Sequence, residues 1–157
     1  MRVYRLYAVT VFFFAVIAAA NADFPETRRD LPESAAVIWA DAAYFTLVSA
    51  GIAQPELDAD GAFEYVRRQG WAAQKKTADD VLRLDEAARL FSLAFQIHAS
   101  FFGLFFPQPR FAFHAFQKIG LIDSGSDPAA IVSGKEFFEL LSAVHSRAPR
   151  RARVNGL

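Results

Sequence analysis

Residues Phe63 to Phe95 read FEYVRRQGWAAQKKTADDVLRLDEAARLFSLAF, and residues Phe113 to His145, fifty positions later, read FHAFQKIGLIDSGSDPAAIVSGKEFFELLSAVH. The two segments align without a gap and share five residue types at matching positions. These are Phe63 and Phe113, Gly70 and Gly120, Glu86 and Glu136, Leu90 and Leu140, and Ser92 and Ser142. Each copy is typical of a short helix ending at a glycine, a polar linker and a second apolar helix. The repeat predicts an all-α fold of stacked helix-loop-helix units.

Capping residues and glycines set the expected helix boundaries. A first helix is expected from Ala35 to about Ala50, with Ser34 as its N-cap. The later helices are expected at Ala62 to Gln69, Leu84 to about Phe102, Phe111 to Ile119 and, capped by Ser133, up to about Ser146. Glu86 and Glu136 fall near the third position of their helices, where a carboxylate accepts backbone N–H groups. We therefore interpret both glutamates as helix-start residues.

The first 22 residues have the features of a secretory signal peptide. Arg2 and Arg5 precede an apolar run from Ala8 to Ala20, and Ala20-Asn21-Ala22 supplies the small residues of a cleavage site. The run has 13 residues, fewer than the ~20 that span a bilayer. The sequence therefore predicts export to the periplasm or cell envelope, either after cleavage before Asp23 or with the segment retained as an anchor.

The remaining chain is expected to contain an exposed leader (23–33), one helical repeat domain (34–146) and a basic flexible tail (147–157). Its 17 phenylalanines and 54% apolar residues predict an aromatic core. There is no cysteine, so the core must supply the stability that disulfides give other exported domains. Removing Arg2 and Arg5 from the 17 basic residues leaves 15 against 17 acidic ones. This balance argues against nucleic acid as a partner.

One acidic segment resembles the opening of a calcium-binding EF-hand loop. Glu56, Asp58 and Asp60 alternate before Gly61, as oxygen ligands do in such loops. The twelfth position, where that site needs a bidentate acid, is Arg67. We therefore interpret the segment as the polar start of a helix.

The other candidate chemical residues form no catalytic or metal-binding pattern. His98, His114 and His145 lack the i, i+4 spacing of a helical metal pair and have no cysteine companions. Asp123-Ser124-Gly125 has no second acidic triplet with which to share a proton, as an aspartic protease requires. The sequence predicts a protein without catalysis, cofactor or metal.

Four short motifs together resemble an S-layer homology (SLH) repeat. They are Trp39-Ala40-Asp41-Ala42-Ala43-Tyr44, Gly51-Ile52, Asp60-Gly61-Ala62-Phe63, and Leu82-Arg83-Leu84-Asp85-Glu86-Ala87-Ala88-Arg89-Leu90. In that family paired helices flank a loop, and the second helix typically opens with Thr-Arg-Ala-Glu. The matching positions here are Leu82, Arg83, Leu84 and either Asp85 or Glu86, and in the second copy Ser133, Gly134, Lys135 and Glu136.

The SLH resemblance implies a noncatalytic module of the bacterial cell envelope. It assigns a ligand-facing role to Arg83, together with Asp85 or Glu86, and it implies an envelope protein or a cell-wall polymer as the partner. A different class of function also stays open. The aromatic helices could instead shelter an apolar ligand, as in a periplasmic carrier or chaperone-like protein.

A phenylalanine-rich segment joins the two copies of the repeat. Phe101, Phe102, Phe105 and Phe106 surround Gly103, which permits a bend. The rings either fill the space between the helices or form an exposed surface that docks an envelope protein or the membrane. The four arginines of the tail offer a second route to peripheral contact with anionic headgroups.

Overall fold

The computed structural model describes residues 30–53, 57–97 and 108–147. Contacts divide the chain into Met1–Leu31 and Pro32–Leu157, and the described α-helices all belong to the second unit. They are α1 (Trp39–Ser49), α2 (Ala59–Arg68), α3 (Leu84–Phe95), α4 (Pro109–Lys118) and α5 (Gly134–Arg147). A 3₁₀ turn covers Leu31–Glu33. Among the described residues, β-structure is limited to isolated bridges between single residues. The predicted all-α class is therefore confirmed.

Three helices form the centre of this unit and two lie outside them. The central helices α1, α3 and α5 all contact one another, while α2 packs on α1 and α4 packs on α3. In the described part of the chain, α5 has no outer helix of its own. The polar side chains Lys135, Glu139 and Ser142 of α5 are exposed, so this side of the helix does not require an apolar cover.

A ring of three backbone hydrogen bonds closes one end of the central helices. The Val37 N–H donates to the Val132 carbonyl (2.9 Å), Val132 to Leu82 (3.1 Å), and Leu82 back to Val37 (2.8 Å). All three residues are at most 1% exposed. Each belongs to a short extended segment with at least one β-branched residue, and such residues favour extended backbone. Because a central helix begins directly after each segment, the ring fixes the starts of α1, α3 and α5 side by side.

The core between the helices is aromatic. Phe91 of α3 and Phe137 of α5 are fully buried, with ring centroids 5.4 Å apart. Phe113 and Phe116 bury the inner face of α4. Leu90 and Leu140, which lie at matching positions of the two sequence copies, are also buried.

Glycines end both outer helices in the left-handed conformation. Gly70 and Gly120 each have φ +69°, a region that side chains with a Cβ rarely adopt. The N–H groups of Gly70 and the following residue, Trp71, bond back to Arg67 and Val66. The same bonds recur fifty residues later at Gly120, as expected for helix ends of this type.

We expect Gly70→Ala and Gly120→Ala each to lower the free energy of unfolding by about 1 kcal/mol, because alanine is strained at positive φ. A Cβ would meet no atom within 4 Å at either position, so the loss would come from backbone strain alone. Urea denaturation measures the difference. Gly125→Ala is the control, since Gly125 also has open space but no positive φ. Equal midpoints for all three variants would contradict this explanation.

Two predicted helix boundaries are wrong by four residues or more. The helix α1 begins at Trp39 instead of Ala35, because residues 36–38 are drawn into the ring. Ser34 is therefore not an N-cap, and its hydroxyl bonds the carbonyl of Ala36 instead. The helix α3 ends at Phe95, where Gln96 adopts the left-handed conformation (φ 56°), and does not reach Phe102.

The starts of two other helices follow local rules. The helix α2 begins at Ala59 and not at the expected Ala62, because the Asp58 Oδ1 accepts the Gly61 N–H at 2.7 Å and caps the helix there. Pro109 opens α4, two residues earlier than expected, in the first helical turn where proline costs no hydrogen bond.

Several predicted features lie outside the described residues. They are the signal peptide (1–22), most of the leader (23–29), Glu56, His98, the aromatic segment with Phe101, Phe102, Phe105 and Phe106, and the tail beyond Arg147. Arg147 itself is the last residue of α5, and its guanidinium donates to the Ile119 carbonyl at the end of α4.

Candidate binding surface

The extended segment before α3 places Arg83 on the outside of the ring. Successive side chains of an extended chain point to opposite sides, so the burial of Leu82 turns Val81 and Arg83 outward. Antiparallel bridges pair Val81 with Ile38 and Arg83 with Ile131. Val81 is 38% and Ile131 is 58% exposed. We call the surface formed by Ile38, Val81, Arg83 and Ile131 the pole surface.

A buried carboxylate holds the Arg83 side chain in place. Asp85 is 8% exposed and accepts from Arg83 at both oxygens, with Nε–Oδ1 at 3.2 Å and Nη2–Oδ2 at 2.7 Å. This bidentate pair fixes the plane of the guanidinium. The arginine side chain remains 45% exposed, and its Nη1 makes no hydrogen bond to another described residue. Arg83 can therefore face a ligand, while Asp85 positions it from below.

Glu86 has a structural role at the start of α3. Its Oε2 accepts the backbone N–H of Arg83 at 3.1 Å. Its carboxylate also binds the Lys76 ammonium, with distances of 2.9 Å to Oε1 and 3.2 Å to Oε2. The helix-start interpretation of Glu86 is confirmed. Both of its oxygens are occupied, so the structure does not present Glu86 to a ligand.

The corresponding position of the second copy carries a complete capping box. The Ser133 N–H and hydroxyl both donate to Glu136 Oε2, at 3.0 Å and 2.8 Å. The Glu136 N–H approaches the Ser133 hydroxyl at 3.4 Å. The predicted N-cap at Ser133 is therefore confirmed. Since serine stands here in place of Arg83, this position offers no cation.

The Ser133 donors also lower the pKa of the Glu136 carboxyl, first through the backbone N–H and then through the hydroxyl. A carboxyl with a lowered pKa stabilises the fold above its ordinary pKa of 4.5, and this stability is lost as pH falls through the lowered value. We expect Glu136→Gln to reduce the urea midpoint at pH 7, and the difference from wild type to shrink progressively below pH 4.5. Glu139→Gln, on the exposed side of α5, is the control. A pH-independent effect of Glu136→Gln would contradict the assignment.

Sequence reasoning missed the third helix start that completes the ring. Val37 and Asp41 lie 45 positions before Leu82 and Glu86. The pair Ala42-Ala43 aligns with Ala87-Ala88 at the same offset. This spacing of 45 residues, which is shorter than the 50 residues between the two copies of the repeat, is the signal in the sequence for a third helix start. The helix expected from Ala35 hides this signal, because it places Val37 inside a helix.

The described residues contain no group of three or more histidine, cysteine, aspartate or glutamate side chains arranged to hold a metal ion. His114 contacts the Gln117 side chain at 3.1 Å, and the ring of His145 lies 6.0 Å from that of Phe95. Within residues 30–53, 57–97 and 108–147, no helix combines the length and apolar character needed to cross a membrane.

Comparison of the chain with protein-family models, with curated proteins and with solved structures found no match. The function of the chain is therefore inferred from the geometry of the pole surface and from the sequence.

Proposed function

We propose that this chain is a noncatalytic binding module of the bacterial cell envelope that docks an envelope protein through the pole surface. The observation that carries the proposal is a half-exposed arginine, held rigid by a buried aspartate, beside the exposed apolar side chains of Val81 and Ile131. Export is part of the proposal and is supported by the features of residues 1–22.

The composition of the pole surface suits a protein partner. Apolar side chains around an arginine are typical of the centre of protein interfaces, where arginine is enriched and lysine is depleted. The Asp85 carboxylate holds the guanidinium plane before any partner arrives, which reduces the entropy lost on binding. The backbone ring beneath the surface adds further rigidity.

A wall polymer is the alternative partner, and the resemblance to SLH repeats supports it. An acidic polymer would be bound through the free N–H groups of Arg83. The matching position in the second copy is Ser133, and in the first segment of the ring it is Ile38. A single cation among three matching positions favours weak, monovalent attachment to a polymer. We therefore place the protein partner first.

The described core does not favour the carrier alternative. Phe63, Phe91, Phe113, Phe116 and Phe137 are all at most 3% exposed. Their rings pack against neighbouring aromatic or apolar side chains, as in the tilted contact of Phe91 with Phe137. A filled core of this kind supports a rigid module.

Cosedimentation with purified cell-wall material separates the two partners. We expect the protein to cosediment weakly, and Arg83→Ala to change the bound fraction no more than Arg68→Ala. Arg68 is the matched control because it is an exposed arginine on α2 that makes no ion pair within the described residues. Strong, saturable cosedimentation that Arg83→Ala abolishes and Arg68→Ala preserves would instead establish the wall polymer as the partner.

A further inference from the structure

Arg89 of α3 is a partly buried cation that forms no ion pair with any other described residue. The other arginines that the structure describes are exposed, whereas Arg89 is half-buried. Its Nη2 donates to the Gly70 carbonyl at 2.8 Å, and its Nε is buried and donates to no described group. Burial lowers the pKa of the Arg89 side chain, because it removes water from the cation. Charges that lose their water are normally paired, so Arg89 is an exception in this fold.

The carboxylates nearest to Arg89 in the sequence are already engaged. Asp85 and Glu86, four and three residues earlier on α3, are each bound by a basic side chain of their own. The end of α2 that Arg89 contacts and the linker after it, residues 65–78, contain no acidic side chain. Neither of these two segments therefore compensates the Arg89 charge.

Two half-buried aromatic rings lie at the same end of α2. Tyr65 is in the last turn of the helix, and Trp71 directly follows the glycine whose carbonyl Arg89 contacts. The ring centroids are 6.1 Å apart and the rings are nearly perpendicular, at 89°. Tryptophan, tyrosine and arginine are the residue types that carry most of the binding energy in protein interfaces. The end of α2 therefore combines an unpaired cation with partly accessible aromatic surface.

The second copy shows that the fold does not require this combination. The three matching positions carry neither an aromatic ring nor a cation: they are Ala115, Leu121 and Glu139. The end of α4 is tied instead by Arg147 of α5, which donates to the Ile119 carbonyl. Tying down a helix end thus explains the bond from Arg89 to Gly70. It does not explain the aromatic pair or the burial of a cation without an acid.

We propose that the end of α2 binds an acidic side chain of a partner peptide, with Arg89 as the cation and Trp71 as the apolar surface for the neighbouring peptide side chain. The site goes beyond docking at the pole surface, since neither residue belongs to that surface. Charge complementarity selects the ligand, because a carboxylate accepts charge-assisted hydrogen bonds from the terminal N–H groups of the guanidinium. The cation has already lost water in the free protein, so binding repeats little of that cost.

The test titrates the ¹⁵N-labelled full chain with acetyl-Phe-Glu-amide and with its neutral match, acetyl-Phe-Gln-amide. We expect the glutamate peptide to shift the Trp71 indole N–H resonance saturably. The glutamine peptide should bind at least about fivefold more weakly, which corresponds to losing one hydrogen bond to a charged group. The Trp39 indole serves as an internal reference, because Trp39 is 1% exposed.

Two variants locate the site. Arg89→Gln should weaken binding of the glutamate peptide at least about fivefold. Arg110→Gln, which removes an exposed arginine at the start of α4, should leave it unchanged. Trp71→Leu introduces the residue type that the second copy has at this position, and it should weaken binding of both peptides. In this variant the amide resonances of Gly70 and Ala72 report the binding.

Circular dichroism and urea denaturation establish that each variant folds. The proposal is overturned if the glutamate peptide produces no saturable shift, or if the glutamine peptide binds equally. It is also overturned if Arg89→Gln or Trp71→Leu binds as tightly as wild type. If Arg89→Gln does not fold, the comparison of the two peptides on the wild-type protein decides. Each of these results leaves docking at the pole surface unaffected.

Discussion

Replacing Phe137 with alanine is expected to lower the free energy of unfolding by about 3–5 kcal/mol. The ring of Phe137 is fully buried and contacts Phe91 across the interface of α5 and α3, with centroids 5.4 Å apart. Its removal reduces the buried apolar surface and leaves a cavity between α3 and α5. The cavity cannot close easily, because the backbone ring holds the starts of both helices in position. Urea denaturation followed by circular dichroism measures the loss.

The matched control for this substitution is Phe111→Ala. Phe111 is the same residue type but is 51% exposed at the start of α4, so its truncation should change stability by less than about 0.5 kcal/mol. If the two variants unfold at the same urea concentration, Phe137 is not part of the core and the described packing of α5 is wrong.

Leu82→Ala is the second substitution with a large expected effect, at roughly 2–5 kcal/mol. Leu82 is fully buried, and its backbone both donates to Val37 and accepts from Val132. The lost side chain would leave a cavity where the starts of all three central helices meet. Thermal unfolding followed by circular dichroism reports the change as a lower midpoint.

Val81→Ala tests whether this loss is specific to the inward side of the segment. Val81 precedes Leu82 directly but points outward and is 38% exposed. We expect its truncation to cost well under 1 kcal/mol, as is usual for surface substitutions. A loss in Val81→Ala equal to that in Leu82→Ala would show that the alternation of buried and exposed side chains does not hold.

The sequence predicted the features of the fold that depend on local chemistry. Gly70 and Gly120 end their helices as expected because only glycine adopts positive φ without strain. Glu136 with Ser133 forms the expected capping box, since the two residues have the required spacing. The all-α class also followed from this local pattern of helix starts and stops.

The features that sequence reasoning missed depend on contacts between distant segments. The expected start of α1 at Ala35 is wrong because Val37 bonds to Leu82 and Val132, 45 and 95 positions further along the chain. Sequence reasoning also did not predict that Asp85 pairs with Arg83. Residues two apart do not face each other within a helix, but Arg83 lies in extended backbone just before α3, so its side chain can contact Asp85 in the first turn.

Site-specific photocrosslinking in cells tests docking at the pole surface most directly. A photoreactive amino acid is placed at Ile131 on this surface or at Lys135, four residues later on the exposed side of α5. Both side chains are exposed, so the two probes have comparable access to solvent. We predict that the Ile131 probe captures one discrete envelope protein, that Arg83→Ala abolishes this product, and that the Lys135 probe does not form it. No discrete product from Ile131, or the same product from both positions regardless of Arg83, would contradict the account.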